Sequence, residues 1–456
     1  VDKRTFFDMH LHAFNLSHPS FSVFVRRLLR ELPQGLLSWR RLWRLPAVIL
    51  VGLVLLALWM AFVVVYCLPP ARRVARSLIH ALFGGLKRMA GRLMNLLFVM
   101  ENDIGSMFLL VENCLRDPEA PLLRSDGLHV GGERYGKVVL TPLMIDFGYK
   151  DKTPPGKKPK RWLRYDVPAE RPIVEQVEDL FRGIREYRET VSDEPLSAKY
   201  PALGPSTERV FEIYPFLGLN PANYTKERIG DLLEKYFGAY TGRREDFRAR
   251  LGEFDGDIER MGSHFFAGIK VYPPLGFDPW PEGDHEAMGK VKLLYATCSE
   301  KGIPLTSHGG GGGFVAVRRE VLKAITDVAK WAVVLQHYPD LKVNLAHFPP
   351  GKGDEARRDQ TVELALKCEN VYVDISCRAT SEKYYRELRT LLNGLPQADA
   401  DKLKARLLFG SDFAVNLMWI DSYNQYLGLF SRTTALIQEE KHAFCSTNPE
   451  RFLFRE

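Results

Sequence analysis

The chain has 456 residues, 46% hydrophobic and 26% charged, with 63 Lys and Arg against 56 Asp and Glu for a net charge of +7. Such a composition supports a sizeable core and excludes a wholly disordered chain, a collagen-like fibre and a disulfide-stapled miniprotein. The positive excess is modest and gathers beside one apolar segment, which argues against nucleic-acid binding. The six cysteines, Cys67, Cys114, Cys298, Cys368, Cys377 and Cys445, contain no CxxC pair, so a zinc-finger or thioredoxin reading fails and a reducing compartment is expected.

The opening residues carry no secretory signal and read as a strand, Thr5–Met9. From Leu45 to Pro70 the sequence LPAVILVGLVLLALWMAFVVVYCLPP has no charged residue. As a helix, Leu45 to Leu68 would be about 36 Å long, enough for a hydrocarbon core of about 30 Å. Arg40, Arg41 and Arg44 precede it and Arg72, Arg73 and Arg76 follow it, so both ends favour the cytoplasmic face. Val74–Met100 mixes apolar residues with Arg76, His80, Lys87, Arg88 and Arg92 and reads as a basic amphipathic helix on a membrane surface. The organisation expected is a first strand and its following segment (1–44), a membrane-anchor insert (45–100) and the remaining body (101–456).

After the insert, apolar runs alternate with helical patterns. The runs are Val138–Asp146, Val210–Phe216, Phe265–Tyr272, Ile303–Ser307, Val343–Ala346, Val371–Ile375 and Leu407–Gly410. The helical patterns are Ile173–Val191, Lys226–Tyr240, Glu286–Lys301, Val321–Tyr338, Glu355–Cys368 and Glu382–Leu392. With Thr5–Met9 this makes eight strand–helix units. The fold class is therefore α/β, a (β/α)₈ TIM-type barrel with a hydrophobic helical insert after strand 1. Strand 1 precedes the insert and its partners follow it, so the chain must return to the same side. A monotopic, membrane-associated protein with a cytoplasmic barrel is expected. The loop Lys150–Arg164 is basic and Pro-rich, a solvated loop able to guide an anion.

Several strand ends carry chemistry. Strand 1 runs into Asp8-Met9-His10-Leu11-His12, and strand alternation puts both histidines on one face, a common metal-ligand arrangement. Lys270 and Tyr272 close the fourth strand, His308 the fifth, His347 the sixth and Asp412 the eighth. A barrel brings these ends to one rim, where barrel enzymes place their chemistry. Five glycines, Gly309 to Gly313, follow His308 and let backbone approach a ligand closely. No GK[ST] follows them, so they are not a P-loop. Tyr272, Arg378 and Asn416 lie beyond strand ends, where they can reach a substrate; an arginine there suits a carboxylate or phosphate. Asp8 sits behind the histidine pair.

The segments DMHLH, GIKVYPP, PLTSH, NLAHF and FGSDF, in that order, with Asn448–Leu453 as a closing helix, resemble the amidohydrolase superfamily. The resemblance runs from Thr5 to about Phe454 and leaves out Leu45–Met100. It implies that His10, His12 and Asp412 hold the more buried metal, and His308 and His347 match the family's strand-five and strand-six histidines. It also implies that Lys270, as a carbamate, bridges two ions. In single-metal relatives the ligands are the HxH pair, the strand-five histidine and the aspartate, and His347 serves the substrate. The expected cofactor is one or two divalent ions, zinc above manganese or iron. The expected activity is hydrolysis of a C–N or C–O bond at a carbonyl centre of a small molecule, with Asp412 and His347 as catalytic groups. The alternatives are a single-metal decarboxylase or lactonase, and an inactive membrane-bound interaction module.

Overall fold

The computed structural model describes residues 4–18, 91–147, 172–190, 198–203, 209–250, 263–351 and 353–455. Leu45–Leu68, its flanking arginines, Cys67, most of Val74–Met100 and the Lys150–Arg164 loop lie outside the described residues.

The chain begins in β1 (Thr5–His12), buried along its whole length. A three-stranded antiparallel sheet follows, β2 (Leu123–Arg124), β3 (Gly127–Val130) and β4 (Glu133–Tyr135). The parallel strands continue with β5 (Lys137–Leu143), β6 (Phe211–Ile213), β7 (Phe216–Gly218) and β8 (Gly268–Val271). They end with β9 (Leu305–Ser307), β10 (Val343–Leu345), β11 (Val371–Asp374) and β12 (Leu407–Leu408). The order is β1-β5-β7-β8-β9-β10-β11-β12, every pair parallel, with β6 also on β5.

A short seam between β12 and β1 brings the ring to near closure. Leu11 bridges Phe413 in parallel, Met9 N donates to Phe409 O at 3.0 Å and His12 N to Phe413 O at 2.6 Å. The eight-stranded barrel expected from the alternating runs is thus present. Its strands are apolar because helices cover the outside and side chains fill the inside. Ile173–Glu189 shows the outer layer: Val177, Leu180, Phe181 and Ile184, at helical spacing, are buried. Several helices start on side-chain caps, such as Thr225 on Arg228 N and Asp284 on Ala287 N.

Three boundaries differ from the sequence reading, each for a local reason. The run Val210–Phe216 is two strands, β6 and β7, because Pro215 between them has no N–H for a ladder. The pattern Val321–Tyr338 is two helices, Arg319–Ile325 and Val328–His337. Thr326 Oγ1 closes the first on Leu322 O at 2.7 Å, and Asp327 caps the second through Ala329 N at 3.0 Å. Finally, β1 extends to His12, and its register with β5 shifts between Asp8 and Leu11. An extra residue is thereby inserted in β1 beside His10, a bulge of the kind that re-aims a side chain.

Of the expected amphipathic segment, residues 91–101 are described and helical. Leu96, Val99 and Met100 are buried, whereas Met94 and Phe98 are exposed. Arg92 Nε pairs with Asp421 Oδ1 at 2.8 Å, tying this helix to the loop after β12. Among the described residues, no helix is long and apolar enough to cross a membrane.

Candidate metal centre

The rim begins with β1. His10 and His12 are fully or almost fully buried, and each ring has its Nδ1 occupied. His10 Nδ1 donates to Asp374 Oδ2 at 2.9 Å, and His12 Nδ1 to the Leu143 carbonyl at 3.2 Å. Assigned from these bonds, both rings carry the proton on Nδ1 and present Nε2 as a lone pair. His347 follows the same rule, its Nδ1 lying 3.2 Å from the Ser376 carbonyl and 2.9 Å from Ser376 Oγ.

Asp412 closes the group. Its Oδ1 lies 2.9 Å from His12 Nε2 and 3.4 Å from His10 Nε2. One ligand atom from each of His10, His347 and Asp412 falls within 4.8 Å of the others, all three residues being buried. His308 joins through Nδ1, 3.2 Å from His347 Nε2. His347 and Asp412 both hold left-handed backbone, φ 65° and 62°. Such conformations cost about 1–3 kcal/mol at a non-glycine residue and persist where surroundings enforce them. Asp374 is one enforcer, accepting His347 N at 3.0 Å.

Buried polar atoms that lack hydrogen-bond partners among the described residues include His10 Nε2, His308 Nε2, Lys270 Nζ and Asp412 Oδ1 here. Orphaned buried polar atoms are rare, and a set of them on one rim calls for an ion or ligand. Imidazole nitrogens of His10 and His347 with the Asp412 carboxylate suit a borderline divalent cation. The donor set therefore fits a metal.

The electrostatics agree. Burial lowers His12 and His308, and brings His347 to about 3, so these rings stay neutral, the ligand form. Burial raises Asp412, but His347, His12 and His10 override it and hold the carboxyl well below the usual range. Burial brings Lys270 down to about 8, opposed by Asp374 and Asp412. That raises the share of free amine near neutral pH above that of an ordinary lysine.

A cavity of about 460 Å³ opens over this centre, and His12, Tyr272, His308, His347, Arg378 and Asp412 contribute to its wall. Tyr272 stacks on His308 with ring centroids 4.2 Å apart, and its hydroxyl accepts Phe314 N at 3.1 Å. Asn416 is placed differently: it is fully buried, and its Nδ2 donates to Ser411 O at 2.7 Å. Asp8 sits behind the pair, taking Ser411 N at 2.9 Å, His10 N at 3.2 Å and the Tyr423 hydroxyl at 2.9 Å. Burial pushes Asp8 up to about 6 despite these bonds.

Sequence reasoning missed Asp374, Ser376 and Asn344. Asp374 also accepts Asn344 Nδ2 at 2.8 Å and Ser376 N at 3.1 Å, and its buried carboxyl stays ionised because His10 and Ser376 override burial. It fixes the tautomer of His10, the office a carboxylate performs behind a ligating histidine. The only signal was an acid inside the apolar run VYVDIS.

Residues 250–455 match the family model described as Amidohydrolase. That stretch supplies Lys270, His308, His347 and Asp412, while His10 and His12 join them through the fold. No curated protein matches the chain. Among solved structures it is similar to amidohydrolase 2 from Bifidobacterium longum subsp. infantis (17% identity, TM-score 0.27, 41% of this chain and 61% of that one). It is similar also to a probable 2-pyrone-4,6-dicarboxylic acid hydrolase from Acinetobacter baumannii with citric acid bound (11%, TM-score 0.34, 64% and 91%). A third is dihydroorotase from Saccharomyces cerevisiae in complex with 5-fluoroorotic acid (12%, TM-score 0.33, 76% and 80%). The chain spans less than two thirds of the first of these.

Proposed function

We propose that this amidohydrolase-type enzyme holds a divalent metal at His10, His12, His308, His347 and Asp412 and cleaves a C–N or C–O bond at a carbonyl centre. The observation that carries the reading is the buried convergence of His10, His347 and Asp412 ligand atoms within 4.8 Å. A bound divalent ion would supply Lewis acidity and a lowered water pKa. Asp412, ionised and on the cavity wall, accepts the water proton and passes it to the leaving group. His347 is neutral and faces the same space, where it orients the substrate or the water. Tyr272 and Arg378 hold the substrate from the wall. Asp374 and Ser376 keep the rings of His10 and His347 turned inward.

The alternative is the same barrel with one ion, acting as a decarboxylase or lactonase. Lys270 separates the two versions. As a carbamate it would help hold two ions; as a free amine it would be no ligand. Metal stoichiometry measured with and without bicarbonate decides: two ions per chain, rising with bicarbonate, support the bridge, and one ion indifferent to bicarbonate removes it. Profiling the loaded enzyme against amides, lactones, phosphoesters and carboxylated aromatics then tests the bond type.

For the insert, Leu45–Leu68 is proposed from its sequence to anchor the chain on one membrane face, with the barrel cytoplasmic. Exposed Met94 and Phe98 support this. Because Leu96, Val99 and Met100 belong to the packed body, the segment to exchange for a polar linker is 45–90. That variant should leave the membrane fraction and still take up metal; continued sedimentation with vesicles would remove the anchor.

A further inference from the structure

The wall of the cavity over the metal centre is not uniform. Its apolar residues include Ile145, Phe314, Val415 and Trp419. Ile145 follows β5, and Val415 and Trp419 follow β12, the two strands that flank β1 in the ring. Phe314 arrives on the glycine loop after β9 but packs on Phe14 and Phe147, beyond β1 and β5, with ring centroids 5.6 and 5.0 Å away. The apolar wall therefore gathers on the β12–β1–β5 sector, whereas Cys377, Arg378 and Thr380 come from the end of β11. Trp419 lines the cavity and is 39% exposed, which puts it at the mouth.

The helix over 91–101 sits on the same sector. Its first turn is tied to the loop after β12 by Arg92 on Asp421, two residues past Trp419, and its last turn to the loop after β1 by Leu16 N on Met100 O at 2.8 Å. Leu96, Val99 and Met100 face the body, so Met94 and Phe98, one turn apart, face outward at 63% and 60% exposure. The other exposed large apolar side chain among the described residues, Ile437, lies at the opposite end of the barrel, near Glu133 and His442. Residues 19–90 leave from the loop after β1 and return into this helix at Gly91. The uncharged stretch Leu45–Pro70 and the cations Arg72, Arg73, Arg76, Lys87 and Arg88 are therefore tethered to this sector by both ends. An exposed apolar patch joined to an uncharged stretch and a run of cations is complementary to an anionic bilayer. Tryptophan suits the interfacial layer of such a bilayer.

We propose that the β12–β1–β5 side of the cavity mouth rests on an anionic bilayer through Met94, Phe98 and Trp419, and that the substrate is a membrane-resident amphiphile. Its apolar chain lies along Ile145, Phe314, Val415 and Trp419, and its carbonyl group reaches the metal centre. The substrate class rests on the hydrolase reading; the orientation of the rim does not. A chain that passes from lipid onto an apolar wall is never exposed to water, which removes the cost of extracting it.

Two measurements on the full chain test it. Vesicles of phosphatidylglycerol and phosphatidylcholine carrying a diazirine on the acyl chain should, on illumination, label the Met94–Phe98 and Trp419 peptides and spare the Ile437 peptide. Met94→Ser combined with Phe98→Ser should cut labelling at Trp419 about fivefold or more, with metal content unchanged. Labelling at Ile437, or none at Trp419, overturns the orientation, including the case in which a second copy covers the patch and the chain sediments as a dimer. In metal-loaded protein, octanohydroxamate should bind at least tenfold tighter than acetohydroxamate by calorimetry, because the longer chain buries several more methylenes. Trp419→Ser should reduce that ratio severalfold and Trp419→Phe should retain it. Equal affinities in wild type, or a ratio unmoved by Trp419→Ser, overturn the amphiphile. A chain that takes up no metal and binds neither hydroxamate, yet is labelled at Trp419, would remove the hydrolase reading and leave the bilayer-facing rim standing.

Discussion

The two ends of the barrel are built from the same strands and differ in how they leave buried polar atoms: isolated guanidinium nitrogens, Arg244 Nε and Arg406 Nε, at one end and a convergent set at the other. At the end where β1 begins, Ser446 Oγ donates to Thr5 O at 2.6 Å, and Asn448 Nδ2 spans Lys404 O and Leu407 O at 2.8 Å each. Tyr135 meets His442 Nδ1 at 3.1 Å and Cys445 Sγ at 3.3 Å. At the rim where β1 ends, His10, His308, Lys270 and Asp412 keep unpartnered atoms. A satisfied buried group stabilises the fold, whereas a convergent set left unsatisfied costs stability unless something binds. The contrast separates architecture from function on one sheet.

The strongest way to break this contrast is Asp412→Asn. It leaves the side chain's size unchanged and removes the carboxylate shared by His10 and His12. Turnover of whichever amide, lactone or ester the wild type cleaves should fall by about 10³-fold or more, with the circular dichroism spectrum unchanged. A variant retaining a tenth of the wild-type rate would show that the rim's carboxylate is not the working group.

Lys270→Met sharpens the point by trading function for stability. The folded pKa of Lys270 is about 8 against an ordinary 10.5. Below about pH 8 both states carry the proton and the fold bears the full burial cost. Between about 8 and 10.5 the folded state sheds it first, so wild-type stability rises with pH there. The metal-free variant should therefore exceed metal-free wild type by up to about 3 kcal/mol at pH 7. The difference should shrink above pH 10.5 to what the unpartnered neutral amine costs. Denaturant titrations at pH 7 and pH 10 measure it, and a pH-independent difference would contradict the assignment.

A smaller effect is expected one layer out. Asp374→Asn leaves the ligand atoms in place and loosens the ring of His10. Metal affinity should drop by about 10–100-fold, read by competition with a chromophoric chelator. At the opposite end, Tyr135→Phe should cost about 1 kcal/mol of stability and leave metal affinity untouched. Were Tyr135→Phe to shift metal affinity as much as Asp374→Asn, the division between the two ends would fail.

What could be read in the sequence was whatever depends on local spacing. The HxH pair is legible because alternation is a property of a single strand, and His308, His347 and Asp412 because each ends an apolar run. The hairpin sheet was also legible in principle, since Asp126-Gly127 and Gly131-Gly132 are turn dipeptides. Asp374 was not, because its partner His10 lies 364 residues away and meets it only through ring closure. The extra residue in β1 leaves no mark in the pattern, because the same alternation fits either register.

The central claim is that the unsatisfied rim is a metal site. It is tested most directly by elemental analysis of the purified full chain after incubation with zinc, manganese or iron and removal of free ion. At least one transition-metal ion per chain should remain, and Asp412→Asn should lose it while staying folded. A folded wild-type protein that retains no metal, or an Asp412→Asn protein that retains it in full, would contradict the account.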